Sequence, residues 1–592
     1  MVGAWQTIRV LDDFSAADAI VSDYFGRGGQ PAISYGIVRD GALAHAAGFG
    51  ARALGGPPPD ADTVFRIASM SKSFTASAVL LLRDEGRLAL DDLAEKYVPE
   101  LVGWPPVTGD SDRVSIRHLL TMTAGFPTDD PWGDRQQGLP LAEFTALLTR
   151  GVTANWAPGT QFEYSNTGYA ILGLVIAAAS GMDYASFVRT RLLEPLGLRR
   201  TGFAAEEFGS AGLAVGYRRG MAGWEELAFD PYGAFAPMGG VFSCVADLAR
   251  WVSGFAAAFP PGDIAPGPLR SASRREMQLP QAVTGWRATE RLPGGDLAPP
   301  AYYGFGLFVD EDPGPGRVVS HSGGYPGFGS NMRWHPATGL GVIALGNATY
   351  AAMSLVTGLV MEAILPRSAS SHVALAPPRA ARETWVQGAP WPGTLAAQDA
   401  VDRLLRDWDD AAADALFAAN VALDSPYQER RLTIDLIRER IGEFAPSDTR
   451  PAESDTPAHR RWWLTGERGT VQAQIQLSPQ RPPRVMSLSL AVPPAAGSPL
   501  AGVLDSLIAW LNDGAQGWPA SVAVAPRADA GLLARRLRMA AAWAGPATIA
   551  AYRSGDGTAS VSAELQGEHA TLTLSLLVNP ATAELRQADV TL

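Results

Sequence analysis

Strand-like segments stand near both ends of the first 365 residues of this 592-residue chain, and helical segments lie between them. Residues 31–50 alternate around an Asp-Gly turn, a pattern typical of a hairpin. Residues 329–334 and 340–345 form a second strand-like pair, and a helix-like stretch follows over residues 355–365. Strands so far apart in sequence share a core by pairing across the chain. We therefore predict an α+β domain over residues 1–368, with one antiparallel sheet built from distant segments and a helical insert.

The tail contains two segments that look like copies of one another. One begins at Gly466 and the other at Gly567, and the two align without a gap. Residues 369–394, rich in Pro, Ser and Ala without a sustained period, predict a linker before them. We predict two small duplicated α+β modules, residues 395–494 and 499–592. The alternative is a coincidence between two amphipathic strand pairs.

Composition and charge exclude several classes of function. Hydrophobic residues make up 47% of the chain, which is enough for a sizeable core. The net charge of −12 leaves no basic field to attract nucleic acid. The single cysteine, Cys244, excludes an internal disulfide framework, and the seven histidines are scattered rather than spaced as metal ligands. We therefore expect no metal, no cofactor and no nucleic-acid partner.

Two observations bear on location. The N-terminal residues carry Arg and Asp where a signal peptide needs an apolar stretch. The longest apolar run, about residues 169–180, is shorter than the ~20 residues that a membrane span requires. We therefore expect a cytoplasmic protein with no membrane partner.

Lysine is almost absent, since only Lys72 and Lys96 occur among the 48 lysines and arginines. A buried lysine shifts its pKa readily whereas arginine stays charged, so a lysine that persists against this bias points to chemistry. Lys72 stands three residues after Ser69. If that serine opens a helix, both side chains share a face at its positive end, which favours an alkoxide. The alternative is a helix-capping serine followed by a surface lysine, and Lys96 is expected to be a surface charge.

Three motifs resemble those of the penicillin-recognising serine hydrolases. They are FRIASMSK ending at Lys72, then Tyr164-Ser165-Asn166, then His321-Ser322-Gly323, and they correspond to the family's S-x-x-K, Y-x-N and K-T-G-type sequences. The resemblance is to the branch that contains class C β-lactamases, D-alanyl-D-alanine carboxypeptidases, D-aminopeptidases and family VIII esterases. It covers about residues 15–365, extends to neither tail module, and implies a β-lactamase/transpeptidase-like domain in which an antiparallel sheet packs with a helical subdomain.

The resemblance implies a role for each of the first two motifs. Ser69 is expected to be the nucleophile that forms an acyl-enzyme, with Lys72 or Tyr164 as its base. In that role Tyr164 needs Lys72 nearby to depress a phenol pKa from about 10. Asn166 is expected to hydrogen-bond Lys72 and the carbonyl region of the substrate. The alternative for Tyr164 is an ordinary core tyrosine.

The resemblance places the third motif on an edge strand that faces the site, where His321 and Ser322 bind substrate. Gly323 would let an acyl chain approach the backbone, and the amides of Ser69 and Gly324 would form the oxyanion hole. His321 stands where β-lactamases carry Lys, which weakens a fixed positive charge for a substrate carboxylate and argues against β-lactam hydrolysis as the main role. The alternative for His321 is a surface histidine near a turn.

The sequence therefore predicts a serine hydrolase that cleaves an ester or amide in a small molecule or short peptide, as an esterase or as a peptidase that selects D-residues. The alternatives are an acyltransferase or peptide cyclase with the same residues, and a non-catalytic scaffold of this fold. Residues 126–140 predict a loop over the pocket. The tail modules are interpreted as packing units, and a homo-oligomer assembled through them is our hypothesis for a protein partner.

Overall fold

The computed structural model of the chain describes most residues of both predicted regions. The described residues are 14–26, 28–220, 223–259, 267–286, 300–312, 316–365, 389–515, 517–524, 534, 537, 538, 544–569 and 571–591. The predicted linker lies outside them as far as residue 388, and a helix already begins at Pro392. The described residues form two compact units, one that holds the first domain and one that holds both tail modules.

The first unit is built from short helices around one large sheet. Its helices are α1 (Ser15–Phe25), α2 (Ser71–Asp84), α3 (Ile116–Leu120), α4 (Asp130–Asp134), α5 (Leu141–Arg150), α6 (Asn166–Ser180), α7 (Tyr184–Val188), α8 (Ala236–Gly239), α9 (Val245–Ala256), α10 (Ser271–Met277) and α11 (Met353–Ile364). Its strands are β1 (Ala32–Arg39), β2 (Ala42–Gly50), β3 (Phe65–Arg66), β4 (Gly216–Gly220), β5 (Gly223–Leu227), β6 (Phe242–Ser243), β7 (Ala282–Trp286), β8 (Pro300–Tyr303), β9 (Phe308–Asp312), β10 (Gly316–Tyr325), β11 (Phe328–His335) and β12 (Leu340–Gly346).

The large sheet joins the two ends of the unit, as the sequence predicts. Its strand order is β2-β1-β12-β11-β10-β9-β8-β7, and each neighbouring pair runs antiparallel. The pairing of β1 with β12 places Ile33 opposite Gly346, more than 300 residues away. The α+β fold with one antiparallel sheet assembled from distant segments is therefore confirmed.

Helices cover both faces of the central strands. On one face, Val21 of α1 and Val360 of α11 share a fully buried cluster with Ile33 of β1. On the other face α9 lies close, because a Cβ at Gly36 would stand 2.5 Å from a methyl carbon of Val245. Strands covered on both faces need apolar residues at successive positions, and every residue of β12 is buried accordingly.

Helix α2 runs through the middle of the unit and carries the predicted S-x-x-K motif at its start. Its residues from Ser71 to Leu82 are all buried, and α6 and α8 pack against it. Small side chains such as Ser73 and Ala76 allow this close approach of several helices. The helix predicted over this segment is present, and it is preceded by a short 3-10 turn, Ala68–Met70, that holds Ser69.

The second unit contains five helices and eight strands among its described residues. They are α12 (Pro392–Arg406), α13 (Asp410–Leu416), α14 (Ala419–Asp424), α15 (Tyr427–Ile441), α16 (Pro499–Asn512), β13 (Phe444–Pro446), β14 (His459–Gly466), β15 (Gly469–Leu477), β16 (Val485–Leu490), β17 (Ala547–Ser554), β18 (Ser560–Gly567), β19 (Thr571–Val578) and β20 (Leu585–Thr591). The strands form one sheet in the order β13-β14-β15-β17-β18-β19-β20, with β16 also paired to β15.

The two tail modules have equivalent strands that end at an equivalent glycine. Gly466 ends β14 and Gly567 ends β18, the same position of each copy. A Cβ would stand 2.4 Å from the carbonyl oxygen of Ile441 at Gly466, and 2.4 Å from that of Ala544 at Gly567. Both copies therefore need glycine at this point for the same reason, a close approach of backbone. Each copy also has its own buried apolar cluster, and the duplicated α+β modules are confirmed.

Length and hydropathy of the described helices bear on membrane insertion. No single described helix is long and apolar enough to cross a bilayer. The neighbouring helical segments Asn166–Ser180 and Tyr184–Leu193 meet that criterion only as a pair, with a bend of 73° between them.

Candidate active site

Ser69 lies in the 3-10 turn Ala68–Met70, directly before the first turn of α2. Its side chain is nearly buried, with 8% of the residue exposed. The Oγ of Ser69 accepts a hydrogen bond from the Nζ of Lys72 at 2.9 Å. Because the N-terminus of a helix carries a partial positive charge, this position favours negative charge on the serine oxygen.

Lys72 is fully buried and makes three hydrogen bonds. Besides Ser69, its Nζ donates to Oδ1 of Asn166 at 2.7 Å and to the carbonyl oxygen of Met238 at 2.9 Å. Burial lowers the pKa of Lys72 to about 8, although nearby carboxylates act in the opposite direction. A lysine with this pKa exchanges protons near neutral pH, as a base beside a serine must.

Tyr164 lies beside both groups. Its hydroxyl is hydrogen-bonded to Ser69, and Nζ of Lys72 stands 4.8 Å from the centre of its ring. Burial, followed by the charge of Asp130, raises the pKa of Tyr164 well above its usual value. The lowered phenol pKa that a tyrosine base requires is therefore absent, because burial and the charge of Asp130 outweigh the lowering effect of the hydrogen bond with Ser69. Tyr164 is therefore a neutral phenol.

Asn166 opens helix α6, and the side chain of Ser165 caps that helix. While its Oδ1 accepts from Lys72, its Nδ2 donates to Oδ1 of Asp130 at 2.9 Å. The predicted contact between Asn166 and Lys72 is thus present. The amide is fixed from both ends, which orients its oxygen toward the lysine.

Two carboxylates at the start of α4 complete this side of the site. Asp129 is fully buried and accepts from the backbone N–H of Asn166 at 2.6 Å and of Thr167 at 2.9 Å. Burial raises the pKa of Asp129 to about 6. The expectation of a loop over residues 126–140 is thus wrong for residues 130–134, because these form α4 against α6. From the sequence, Asp129 and Asp130 are expected only as part of that loop over the pocket and not as partners of Asn166. Their position just before Pro131 is a signal for a helix start.

His321 lies on β10 with 1% of its surface exposed, so it is no surface histidine. Its Nδ1 is 2.6 Å from the carbonyl oxygen of Ser322 and therefore carries the proton, while Nε2 accepts from the hydroxyl of Tyr303 at 3.2 Å. Burial, followed by the charge of Lys72, lowers the pKa of His321 to about 3. His321 is thus neutral at physiological pH and supplies no positive charge for a substrate carboxylate.

Strand β10 is not an edge strand of the sheet, contrary to expectation, because β9 and β11 both pair with it. The register with β9 ends at Ser320, opposite Phe308. From His321 to Tyr325, β10 pairs with β11 alone among the described strands. The third motif therefore lies on a local free edge inside a larger sheet, and extended groups can add to such an edge.

The glycines of the third motif let other segments approach. A Cβ at Gly323 would stand 2.2 Å from the carbonyl oxygen of Ile67, so glycine lets the turn that carries Ser69 pack against β10. This contact is a different reason for Gly323 from the acyl-chain approach that we expected. A Cβ at Gly324 would stand 2.6 Å from the ring of Tyr350.

Ser322 differs from its neighbours, because alternation along a strand turns its side chain away from His321. It is exposed, and its Oγ accepts from Nδ2 of Asn331 at 2.8 Å. The structure thus brings five predicted side chains into one cluster and leaves Ser322 outside it. The cluster consists of Ser69, Lys72, Tyr164, Asn166 and His321.

Comparison with known proteins identifies the family. The chain matches the Beta-lactamase family over residues 17–360, more than half of its length. The protein therefore belongs to the Beta-lactamase family. The recognition made from the three motifs is confirmed.

Two relatives match part of the chain. Penicillin-binding protein 4* of Bacillus subtilis (strain 168) is 30% identical over 292 residues, which cover 46% of this chain and 58% of that protein. Protein flp of Staphylococcus aureus (strain COL) is 26% identical over 341 residues, which cover 57% of this chain and 63% of that protein. The matches span less than two thirds of the length of these relatives.

One solved structure is similar along almost the whole chain. It is the octameric penicillin-binding protein homologue from Pyrococcus abyssi, with a TM-score of 0.52, 19% sequence identity and 96% of each chain covered. At this identity the comparison shows a similar fold only. Because the similarity covers both units, it supports a fold in which a β-lactamase-like domain is followed by the tail modules.

Proposed function

We propose that this protein hydrolyses an ester or amide through an acyl-enzyme on Ser69. The observation that carries the proposal is the hydrogen bonding of one nearly buried serine to both Lys72 and Tyr164. A serine attacks a carbonyl only when a neighbouring group takes its proton. A buried lysine whose pKa is lowered to about 8 meets that need.

Acylation follows from these contacts. Neutral Lys72 accepts the proton of Ser69 as Oγ bonds to the carbonyl carbon, and the carbonyl oxygen becomes an oxyanion. The amides of Ser69 and Gly324 donate to that oxygen, a contribution worth roughly 3 kcal/mol for each donor in such sites. Tyr164 gives its hydroxyl proton to the leaving group and regains one from Lys72, so the alcohol or amine departs neutral. Water then attacks the acyl-enzyme along the reverse proton path.

The charges around the site favour a substrate without a carboxylate near the scissile bond. His321 is neutral, while Asp129, Asp130 and Asp134 lie near enough to influence Lys72. An anionic substrate group would meet these carboxylates, and the neutral His321 offers no charge to offset them. We infer that uncharged esters and amides, among them amides of D-residues, are better substrates than β-lactams, whose carboxylate is negative.

The two lysines of the chain provide the test. Replacing Lys72 by Met is expected to lower p-nitrophenyl acetate hydrolysis by about 10³-fold, the scale on which a general base contributes to catalysis. The matched control is Lys96→Met, which removes an exposed lysine paired with Asp92. Equal activity of the Lys72→Met variant and the wild type, with both folded, would contradict the proposed chemistry.

We further propose that the chain forms a homo-oligomer through its tail modules. The similar structure from Pyrococcus abyssi is described as octameric. Light scattering after size exclusion, on the full chain and on the chain ended before residue 389, measures the mass of both. An unchanged oligomeric state after removal of the tail would contradict the assignment of assembly to it.

A further inference from the structure

Tyr350 has an unusual backbone for a bulky residue. It lies four residues after the end of β12, and its φ of +51° is in the left-handed region that favours glycine. The residue is 46% exposed, although it carries a large aromatic ring. A strained position of this kind persists where surrounding contacts fix it, and such positions concentrate at functional sites.

The ring of Tyr350 lies on the proposed oxyanion strand. A Cβ at Gly324 would stand 2.6 Å from Cδ1 and 3.3 Å from Cε1 of the tyrosine. The backbone N–H of Tyr350 also donates to the carbonyl oxygen of Tyr325 at 3.3 Å. The ring therefore covers the residue whose amide we assign to the oxyanion hole, at the free edge of β10.

The hydroxyl of Tyr350 holds the ring from the opposite side. It donates to Oδ2 of Asp134 at 2.8 Å. Asp134 is the last residue of α4 and is 2% exposed, while Asp130 at the first position of α4 holds Asn166. The two ends of this short helix thus contact the two sides of the site. A ring fixed at its backbone, its face and its hydroxyl loses little conformational freedom when a ligand packs on it.

We propose that the exposed face of Tyr350 is a wall of the substrate pocket and selects esters or amides with an apolar or aromatic group next to the scissile carbonyl. The assignment rests on the proposed hydrolase function and names its substrate class. An aromatic ring offers a large apolar contact area with a preferred stacking geometry. The ring contacts Gly324, and its hydroxyl is bonded to Asp134, a carboxylate close enough to act on Lys72. These two contacts together place the apolar area at the edge of the site.

Two variants distinguish the contribution of the Tyr350 ring from that of its hydroxyl. Tyr350→Gly removes the ring and keeps a backbone that adopts positive φ without strain, so the loop is expected to hold its course. Tyr350→Phe keeps the ring and loses the hydrogen bond to Asp134. The substrates are p-nitrophenyl phenylacetate and p-nitrophenyl acetate, which share a leaving group and differ by one aromatic ring on the acyl side.

The readout is the ratio of kcat/KM for phenylacetate to that for acetate. In Tyr350→Gly we expect this ratio to fall by about tenfold, mainly through KM for the phenylacetate, because ground-state and transition-state contacts with the ring are lost together. In Tyr350→Phe we expect the ratio to stay within about threefold of the wild type, since the ring remains.

Tyr97→Ala is the matched control, because Tyr97 also donates its hydroxyl to an aspartate, Asp92, at 2.7 Å. A ratio that falls less than about threefold in Tyr350→Gly, or falls equally in Tyr97→Ala, would overturn the proposal. Fluorophosphonate labelling of the wild type at Ser69 distinguishes a failure of the proposed role of Tyr350 from a failure of the proposed hydrolase function. Labelling with an unchanged ratio refutes the role of Tyr350 alone, whereas a folded wild type that neither labels nor turns over ester refutes the hydrolase function and this inference with it.

Discussion

At the scale of single residues, the charge of Lys72 is a balance of opposing effects. Burial favours the neutral amine, whereas Asp130, Asp134 and Asp129 favour the ammonium. Burial dominates, and the pKa falls to about 8. Asp130 and Asp134 also raise the pKa of Tyr164, since a phenolate beside a carboxylate is unfavourable, and burial acts on Tyr164 in the same direction. We therefore propose Lys72 as the base and Tyr164 as the group that passes a proton to the leaving group.

Asp130→Asn tests this balance. The substitution removes a negative charge that stabilises the ammonium of Lys72, while the amide oxygen still accepts from Asn166. The pKa of Lys72 is expected to fall further, so the neutral base appears at lower pH. The acidic limb of the profile of kcat/KM against pH should move to lower pH, measured with p-nitrophenyl acetate.

The control for that prediction is Asp92→Asn, which removes the partner of the exposed Lys96 and should leave the limb in place. A limb that stays fixed in Asp130→Asn, or moves to higher pH, would show that Lys72 is not the titrating base.

The sequence predicts the residues of the first motif better than the residues that surround them in the folded site. Ser69 and Lys72 stand out because the chain has only two lysines and one of them lies in a helix rich in small residues. Asp130 and Tyr350 carry no comparable local signal. Their roles arise from packing between separate segments, Asp130 with Asn166 and Tyr350 with Asp134. A short sequence window contains no information about such contacts.

At the scale of elements, the site depends on how closely the turn before α2 approaches β10. Gly323 allows this approach, since a Cβ there would meet the backbone oxygen of Ile67 at 2.2 Å and Oγ of Ser330 at 2.3 Å. A backbone atom cannot rotate away as a flexible side chain does. The position of Ser69 relative to Gly324 is therefore fixed by a contact between a strand and a turn.

Gly323→Ala is expected to push the turn from the strand. We expect ester turnover to fall by about 10²-fold, because a displacement of this size misaligns the nucleophile, and stability to fall by about 1–3 kcal/mol. Gly109→Ala is the control, since nothing lies within 4 Å of a Cβ at that position. Wild-type turnover and unfolding temperature in Gly323→Ala would contradict this account of the glycine.

Element boundaries could be predicted where periodicity is strong and not where contacts between distant strands decide. The helix after Ser69 and the strands near both ends of the first unit follow from their patterns. Strand β10 was expected at an edge because the family that its motif resembles has this motif on an edge strand. Pairing with β9 up to Ser320 instead places β10 inside the sheet. Helix α4 has five residues, too few for a periodic signal.

At the scale of the whole molecule, the tail is a duplicated pair of modules joined in one sheet. Strands β15 and β17 pair in parallel between the copies, at Val471 and Tyr552. Glu564 of the second copy accepts from Arg450 of the first at 2.7 Å and also pairs with Arg553, and its side chain is 7% exposed. The duplication follows from the sequence, but this pairing between copies does not, because the repeat pattern describes each copy alone.

Glu564→Gln tests the connection between copies. Removing the charge leaves Arg450 and Arg553 without their carboxylate, and we expect the tail to lose about 2 kcal/mol of unfolding free energy, the scale of a hydrogen bond to a charged group. Differential scanning calorimetry should show a lower transition temperature for the second unit and an unchanged transition for the first. Glu568→Gln, at an exposed side chain, is the control. An unchanged tail transition would mean that this cluster does not hold the copies together.

The central claim is that Ser69 is an activated nucleophile, and intact-mass spectrometry after fluorophosphonate treatment tests it most directly. The account predicts one adduct on the wild type, no adduct on Ser69→Ala, and p-nitrophenyl ester turnover that disappears with the same substitution. An adduct that persists in Ser69→Ala, or a folded wild type that forms no adduct and turns over no ester, would contradict it.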